Sequence, residues 1–229
     1  MDMRPHADQQ YEAELRALRD EVLRMGALVE KQIAGAIKAL VDRDGEAARA
    51  IIEHDHSVNR MDVEIDEMCL RLIALHQPTA RDLRLITTAL KITTDLERAG
   101  DMAEHICERV LELNSEPLLK PLIDIPRMAE IAREMLRESL EAFVSEDAAL
   151  ALKVCKRDDQ MDALMDQIFR ELVSFMIEDP KCITRAIRLT FVAKYLERIA
   201  DHATNVAEMV VFMVKGKTIR HLGQVPPTV

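Results

Sequence analysis

At 229 residues, with 48% apolar residues, 31% charged residues and a formal charge of −10, the chain is long enough for one large domain or two of about 100 residues each. The acidic balance excludes a general nucleic-acid binder, whose affinity rests on clustered Lys and Arg. Six Gly, eight Pro, no Trp and few other aromatics, beside abundant Leu, Ala, Met, Glu and Arg, favour helix over sheet.

The opening MDMRPHADQQ lacks the apolar core of a signal peptide. The longest apolar run, MVVFMV at 209–214, falls far short of the roughly 20 residues that span a bilayer. A soluble, cytoplasmic protein is expected. From Tyr11 to about Val41, Leu15, Leu18, Val22, Met25, Val29, Ile33, Ile37 and Leu40 recur at threes and fours, which predicts one long amphipathic helix. DRDGE at 42–46 breaks it. A second helix carries Ile51, Val58, Met61, Ile65, Met68, Leu72 and Leu75 along one side. It stops near HQPTARD at 76–82, where Pro78 disfavours helical geometry at Gln77 and Thr79 can cap the next helix. A third helix runs from about Ala80 to Leu113.

NSEPLLKPLIDIP at 114–126 carries three prolines and reads as a linker. The plan then repeats. A shorter helix spans Ile125 to Val144 and SED at 145–147 ends it. A fifth helix carries Val154, Met161, Leu164, Ile168, Leu172 and Phe175. EDP at 178–180 marks a turn, and a sixth helix reaches Lys215. The expected fold is all-α: six long helices in two tandem three-helix bundles related by internal duplication. The halves fall at 8–115 and 125–216, with a linker at 116–124 and a mobile tail at 217–229.

The duplication is sharpest in two short stretches. DLERAGD at 95–101 is matched one hundred residues later by YLERIAD at 195–201, so Glu97 and Asp101 correspond to Glu197 and Asp201. Residues four apart share a helix face, and like charges there repel unless a cation sits between them. The second and fifth helices carry acidic stripes of their own, Asp55, Asn59, Asp62 and Asp66 in one and Asp158, Asp162 and Asp166 in the other. In an antiparallel hairpin turning near 77–79, Asp55 stands level with Asp101 and Asn59 with Glu97. In the second hairpin Asp158 stands level with Asp201 and Asp162 with Glu197. The candidate ligands are therefore Glu97, Asp101, Asp55, Asn59 and Asp62 on one flank, and Glu197, Asp201, Asp158 and Asp162 on the other. Oxygen-rich clusters of this kind suit Mg²⁺, Ca²⁺ or Mn²⁺, and also iron. Asn59, being neutral, is a weaker ligand than Asp162. Arg98 and Arg198 are placed to reach Asp101 and Asp201. The bland alternative is a pair of solvated acidic faces.

Cys69, Cys107, Cys155 and Cys182 have no C-x-x-C spacing and read as reduced thiols on helices rather than a zinc site. A di-iron enzyme wants two Glu-x-x-His pairs, and only Glu53 and His56 supply one. His54 and His56 beside acids read as surface residues rather than phosphoryl acceptors.

Taken together in order, LERAGD, LERIAD, QPTARDLR at 77–84, the EDP turn and VAEMVVFMVKGK near the end resemble the PhoU family of bacterial phosphate-uptake regulators, over about residues 10 to 221. The resemblance implies two three-helix bundles, a homodimer, no enzymatic activity, and restraint of phosphate import when phosphate is plentiful. It implies an adaptor between the ATPase of the ABC phosphate transporter and the phosphate-sensing histidine kinase, touching membrane-bound partners only peripherally. It also implies metal clusters at Glu97 with Asp101 and at Glu197 with Asp201, of divalent or trivalent ions, with Mg, Mn, Ca, Zn and Fe all open. The rival expectation is a metal-free helical scaffold that docks basic partners through its acidic flanks.

Overall fold

A computed structural model describes residues 4–219; of the expected tail, 220–229 lie outside the described residues. All regular structure among those described is helical. The elements are α1 (Arg4–Asp42), α2 (Gly45–His54), α3 (His56–His76), α4 (Ala80–Leu113), α5 (Asp124–Ser145), α6 (Ala148–Cys155), α7 (Asp158–Glu178) and α8 (Ile183–Lys215), with one 3₁₀ turn at Pro180–Cys182 before α8. The six expected helices are these eight segments, because the second and fifth are each broken once. At the first break Asp55 N–H donates to the carbonyl of Ile52 at 3.3 Å and Val58 N–H to that of Asp55 at 2.9 Å. At the second, Arg157 N–H reaches Val154 O at 2.9 Å and Gln160 N–H reaches Arg157 O at 3.0 Å. These i to i−3 bonds tighten the chain into a single turn and re-aim the next helix. Side-chain periodicity continues through such a turn, so the pattern alone reads as one helix.

The duplication shows in the punctuation. Asp44 caps α2 by accepting from Glu46 N and Ala47 N, and Asp147 caps α6 by accepting from Ala149 N and Leu150 N. Just before each cap a non-glycine residue is left-handed, Arg43 at φ 57° and Glu146 at φ 53°, which closes the preceding helix. Thr79 occupies the N-cap position of α4, but its side chain makes no capping bond. Its carbonyl does the work, accepting from Leu83 N at 2.8 Å.

The linker is packed rather than loose. Arg43 Nη2 donates to the carbonyls of Leu113, Asn114 and Glu116 at 3.4, 3.1 and 2.6 Å. Lys120 is buried and paired with Glu171, and Arg188 bridges Glu112 and Glu116 at 2.9 and 2.6 Å. Arg43→Ala removes a charged donor and strands the carbonyls it serves, so we expect a loss of about 1.5–3 kcal/mol. A urea midpoint that falls at unchanged m-value checks this; an unchanged midpoint would mean water replaces the guanidinium at no cost.

One continuous apolar core runs from Leu15 to Met213 through both halves. The most extensive contact in the molecule is α4 against α8, followed by α5 against α8 and α1 against α4. Ile92, Leu96, Ala99 and Ala103 of α4, and Val192, Leu196, Ile199 and Ala203 of α8, are all fully buried. The seam is flanked by polar and aromatic pairs. His202 Nδ1 and Asn205 Nδ2 lie 2.8 and 3.1 Å from Asp95 Oδ1, while His105 stacks on Tyr195 with centroids 5.3 Å apart. The acidic stripes run along α3 and α7, which pack against α4 and α8 respectively.

Candidate metal centre

α3 and α4 form an antiparallel pair, reversed at Gln77, whose φ of 47° and ψ of 60° are left-handed. That register brings the helix break at Asp55 beside the middle of α4. Asp55 is almost fully buried, and its carboxylate, that of Asp101 and that of Glu104 each offer an oxygen within 4.8 Å of the others. Asn59 Nδ2 donates to Asp55 Oδ2 at 3.3 Å, and Gln32 Nε2 approaches Asp55 Oδ1 at 3.5 Å. Arg98 lies across Glu97 and Asp101 at 3.4 and 3.2 Å.

The charges in this pocket are uncomfortable. Burial pushes the Asp55 carboxyl above its ordinary value and the Asp101 charge adds to it, against the hydrogen bonds from Gln32 and Asn59. Burial and Asp101 raise Glu97; burial and Asp55 raise Glu104. Asp62 is raised by burial and by Asp66, and it lies close enough to Glu97 to raise that group too. Asn59 bonds to Asp55 and is itself exposed.

The second flank has the same plan and a different balance. Asp158 is pushed up to about 6, by burial first, then by Asp201 and Asp162. Loss of water around the carboxyl and the nearby Glu197 raise Asp162 and Asp201. Here the internal cation is Lys194, paired with Glu197, rather than Arg198. The levels expected from counting along the hairpins thus bring Asp55 to Asp101, Asp158 to Asp201 and Asp162 to Glu197. Asn59 donates to Asp55.

Glu104 is the residue that the sequence pattern did not nominate. It lies three after Asp101 and seven after Glu97, on the same face, so the signal was there. The duplication pointed elsewhere, because the matching position, Thr204, is not acidic.

Chemically, three carboxylate oxygens this close are within reach of one hard cation, whose oxygen ligands lie at about 2.0–2.6 Å. The residues Asp55, Asp101 and Glu104 can hold a metal. A cation would also relieve the repulsion that adds to burial in raising Asp55 and Glu104.

Comparison with known proteins supplies the family. The family model described as PhoU domain matches residues 22–110 and 125–210. The phosphate-specific transport system accessory protein PhoU homolog of Pseudomonas aeruginosa is 41% identical over 219 residues, covering 95% of this chain and 90% of that one. The accessory protein PhoU of Escherichia coli K12 is 37% identical over 223 residues, covering 97% and 92%. The crystal structure of PhoU from Pseudomonas aeruginosa superposes with a TM-score of 0.87 at 40% identity, over 90% of this chain and 100% of that one. That of the phosphate transport system regulatory protein PhoU from Streptococcus pneumoniae gives 0.85 at 30% identity, over 91% and 99%. The chain belongs to the PhoU family, the non-enzymatic accessory and regulatory proteins of phosphate transport.

Proposed function

We propose that this protein is a cytoplasmic negative regulator of phosphate uptake, an adaptor that bears on the ATPase of the ABC phosphate transporter and on the phosphate-sensing histidine kinase. In this reading it works as a homodimer whose functional units are residues 8–115 and 125–216, and it meets membrane-bound partners only peripherally. No helix of the described residues is long and apolar enough to cross a membrane, which suits that role.

Cations bound at the two acidic flanks set which face the adaptor presents. The supporting observation is the crowding of Asp55, Asp101 and Glu104, with oxygens within 4.8 Å and the Asp55 and Glu104 carboxyls raised by burial and then by the charges of Asp101 and Asp55 respectively. The metal-free docking alternative also has an observation behind it. Arg98 already sits on Glu97 and Asp101 and Lys194 on Glu197, so these carboxylates accept basic groups.

The deciding experiment compares the wild type with a variant in which Glu97, Asp101, Glu197 and Asp201 are all changed to Ala. We expect stoichiometric divalent cation in the wild type, its loss in the variant, and weaker co-purification of the transporter ATPase with the variant. Equally little metal in both proteins, with the ATPase lost only from the variant, would replace the metal reading by the docking one. Unaltered ATPase binding in the variant would remove the flanks from the adaptor role.

A further inference from the structure

The two copies differ at three positions that surround one spot. From the matched N-caps Asp44 and Asp147, Gln32 of α1 corresponds to Met135 of α5. From the matched LER motifs, Gly100 corresponds to Ala200 and Glu104 to Thr204. Gln32 is a buried polar residue, 6% exposed, and its Oε1 is buried without a hydrogen-bond partner. A buried amide oxygen left unpartnered carries a desolvation cost that natural cores avoid unless the group has a use. Gly100 makes the space for it. A Cβ there would meet Gln32 Oε1 and Val58 Cγ1 at 3.4 Å and Asp55 Oδ1 at 3.6 Å. The orphan oxygen and the Asp55 carboxylate therefore lie around the same point, one residue from Asp101. In the second copy Met135 and Ala200 are fully buried and supply no side-chain oxygen, while Thr204 stands beside Asp158 with a neutral hydroxyl.

We propose that the two acidic flanks are unequal cation sites. The first copy holds the enclosed, tighter one, in which Gln32 Oε1 is a neutral oxygen donor completing the set of Asp55, Asp101 and Glu104. This rests on the reading of the flanks as cation sites. The donor set of three carboxylates and an amide carbonyl is that of a hard divalent cation. Gln32 Nε2 holds Asp55 Oδ1 in place while its Oε1 has no other partner. Gly100 is a positioning residue, because a side chain there crowds the amide. The second copy, with Met, Ala and Thr at these positions, keeps an open acidic face that binds more weakly.

The test is a titration of the full-length, chelator-treated protein with Mn²⁺, followed through the EPR signal of the unbound ion. Wild-type protein should show a tighter and a weaker class of site. Gln32→Met copies the second half at similar volume and should weaken the tighter class by about tenfold or more, since loss of even an outer-shell partner typically costs about that much, while the weaker class stays put. Gly100→Ala should move the tighter class the same way. Ala is a better helix former than Gly, so that loss is not a folding defect. A tighter class unchanged in both variants, or a loss confined to the weaker class, overturns the assignment of Gln32. A single class filling both flanks equally overturns the inequality. No Mn²⁺ binding by the wild type overturns the cation reading itself, and with it this one.

Discussion

Leu96→Ala should melt the whole molecule, not one half of it, at a cost of about 2–5 kcal/mol. Leu96 is fully buried in α4, within the core that both halves share, and the helices around it are held by their own long contacts. Little can move in to fill the space, which puts the cost toward the upper end. For a chain of this size that is about 10 °C in melting temperature, at roughly 2–4 °C per kcal/mol. The core is continuous across the seam, so loss of one half exposes the apolar face of the other. The composition helps the measurement, because the chain has no Trp and two Tyr, Tyr11 and Tyr195, one in each half. Variants with either Tyr changed to Phe leave one fluorescent reporter per half. In the Leu96→Ala background the two reporters and the far-ultraviolet circular dichroism should share one transition. Two separated transitions would mean that the halves are independent units joined by a seam of little energetic consequence.

The second large effect is a reversal of the usual acid response. In most proteins carboxylates are held below their ordinary values, and stability falls as they are protonated. Here Asp55, Asp62, Glu97, Glu104, Asp158, Asp162 and Asp201 are all raised. A group raised by folding binds its proton more tightly in the folded state. Its contribution is complete below the unfolded value and is lost as pH climbs through the folded one. For Asp158 that window runs from 3.8 to about 6.

At about 1.36 kcal/mol per unit, and allowing for the partial access of water to this site, the loss is about 2 kcal/mol. The N-terminus of α7, where Asp158 stands, favours a carboxylate by only about 0.3–1 kcal/mol, so burial and the neighbouring charges win. Asp158→Asn should therefore stabilise the chelator-treated protein by about 2 kcal/mol at pH 7.5 and leave it nearly unchanged at pH 4. Denaturant midpoints of both proteins at the two pH values read this directly. Destabilisation at pH 7.5 would show that the Asp158 carboxylate is held by partners stronger than its repulsion.

Much of the fold was legible because it was written twice. Leu15, Leu18, Val22, Met25, Val29 and Ile33 along α1 make a face whose period survives any tertiary context, and all six are buried. The helix breaks at Asp55 and before Asp158 were not legible. Neither contains Gly or Pro, and a single i to i−3 turn leaves the apolar spacing intact. The levels of Asp55 with Asp101 and of Asp158 with Asp201 came from counting, because an antiparallel hairpin with a short turn has little freedom of register. What counting could not supply was the third dimension. Gln32 belongs to α1, outside either hairpin, and meets Asp55 only because three helices converge at Gly100. The same logic that found the acidic pairs hid Glu104, since a search for what the halves share passes over what distinguishes them.

The contacts across the α4–α8 seam have a consequence for the ancestry of the chain. Asp95 meets Asn205, and Tyr195 meets His105. These are the same two positions of the repeat, each touching the other's counterpart. That reciprocal pattern is what a two-fold axis imposes on two identical subunits. The seam has the arrangement of an isologous interface within one chain, as fusion of two identical subunits produces. Once fused, the halves were free to diverge at positions such as Asp95 and Tyr195, which an identical pair would have had to change together. Without the second half, the face of α4 that packs on α8 would stand open to solvent.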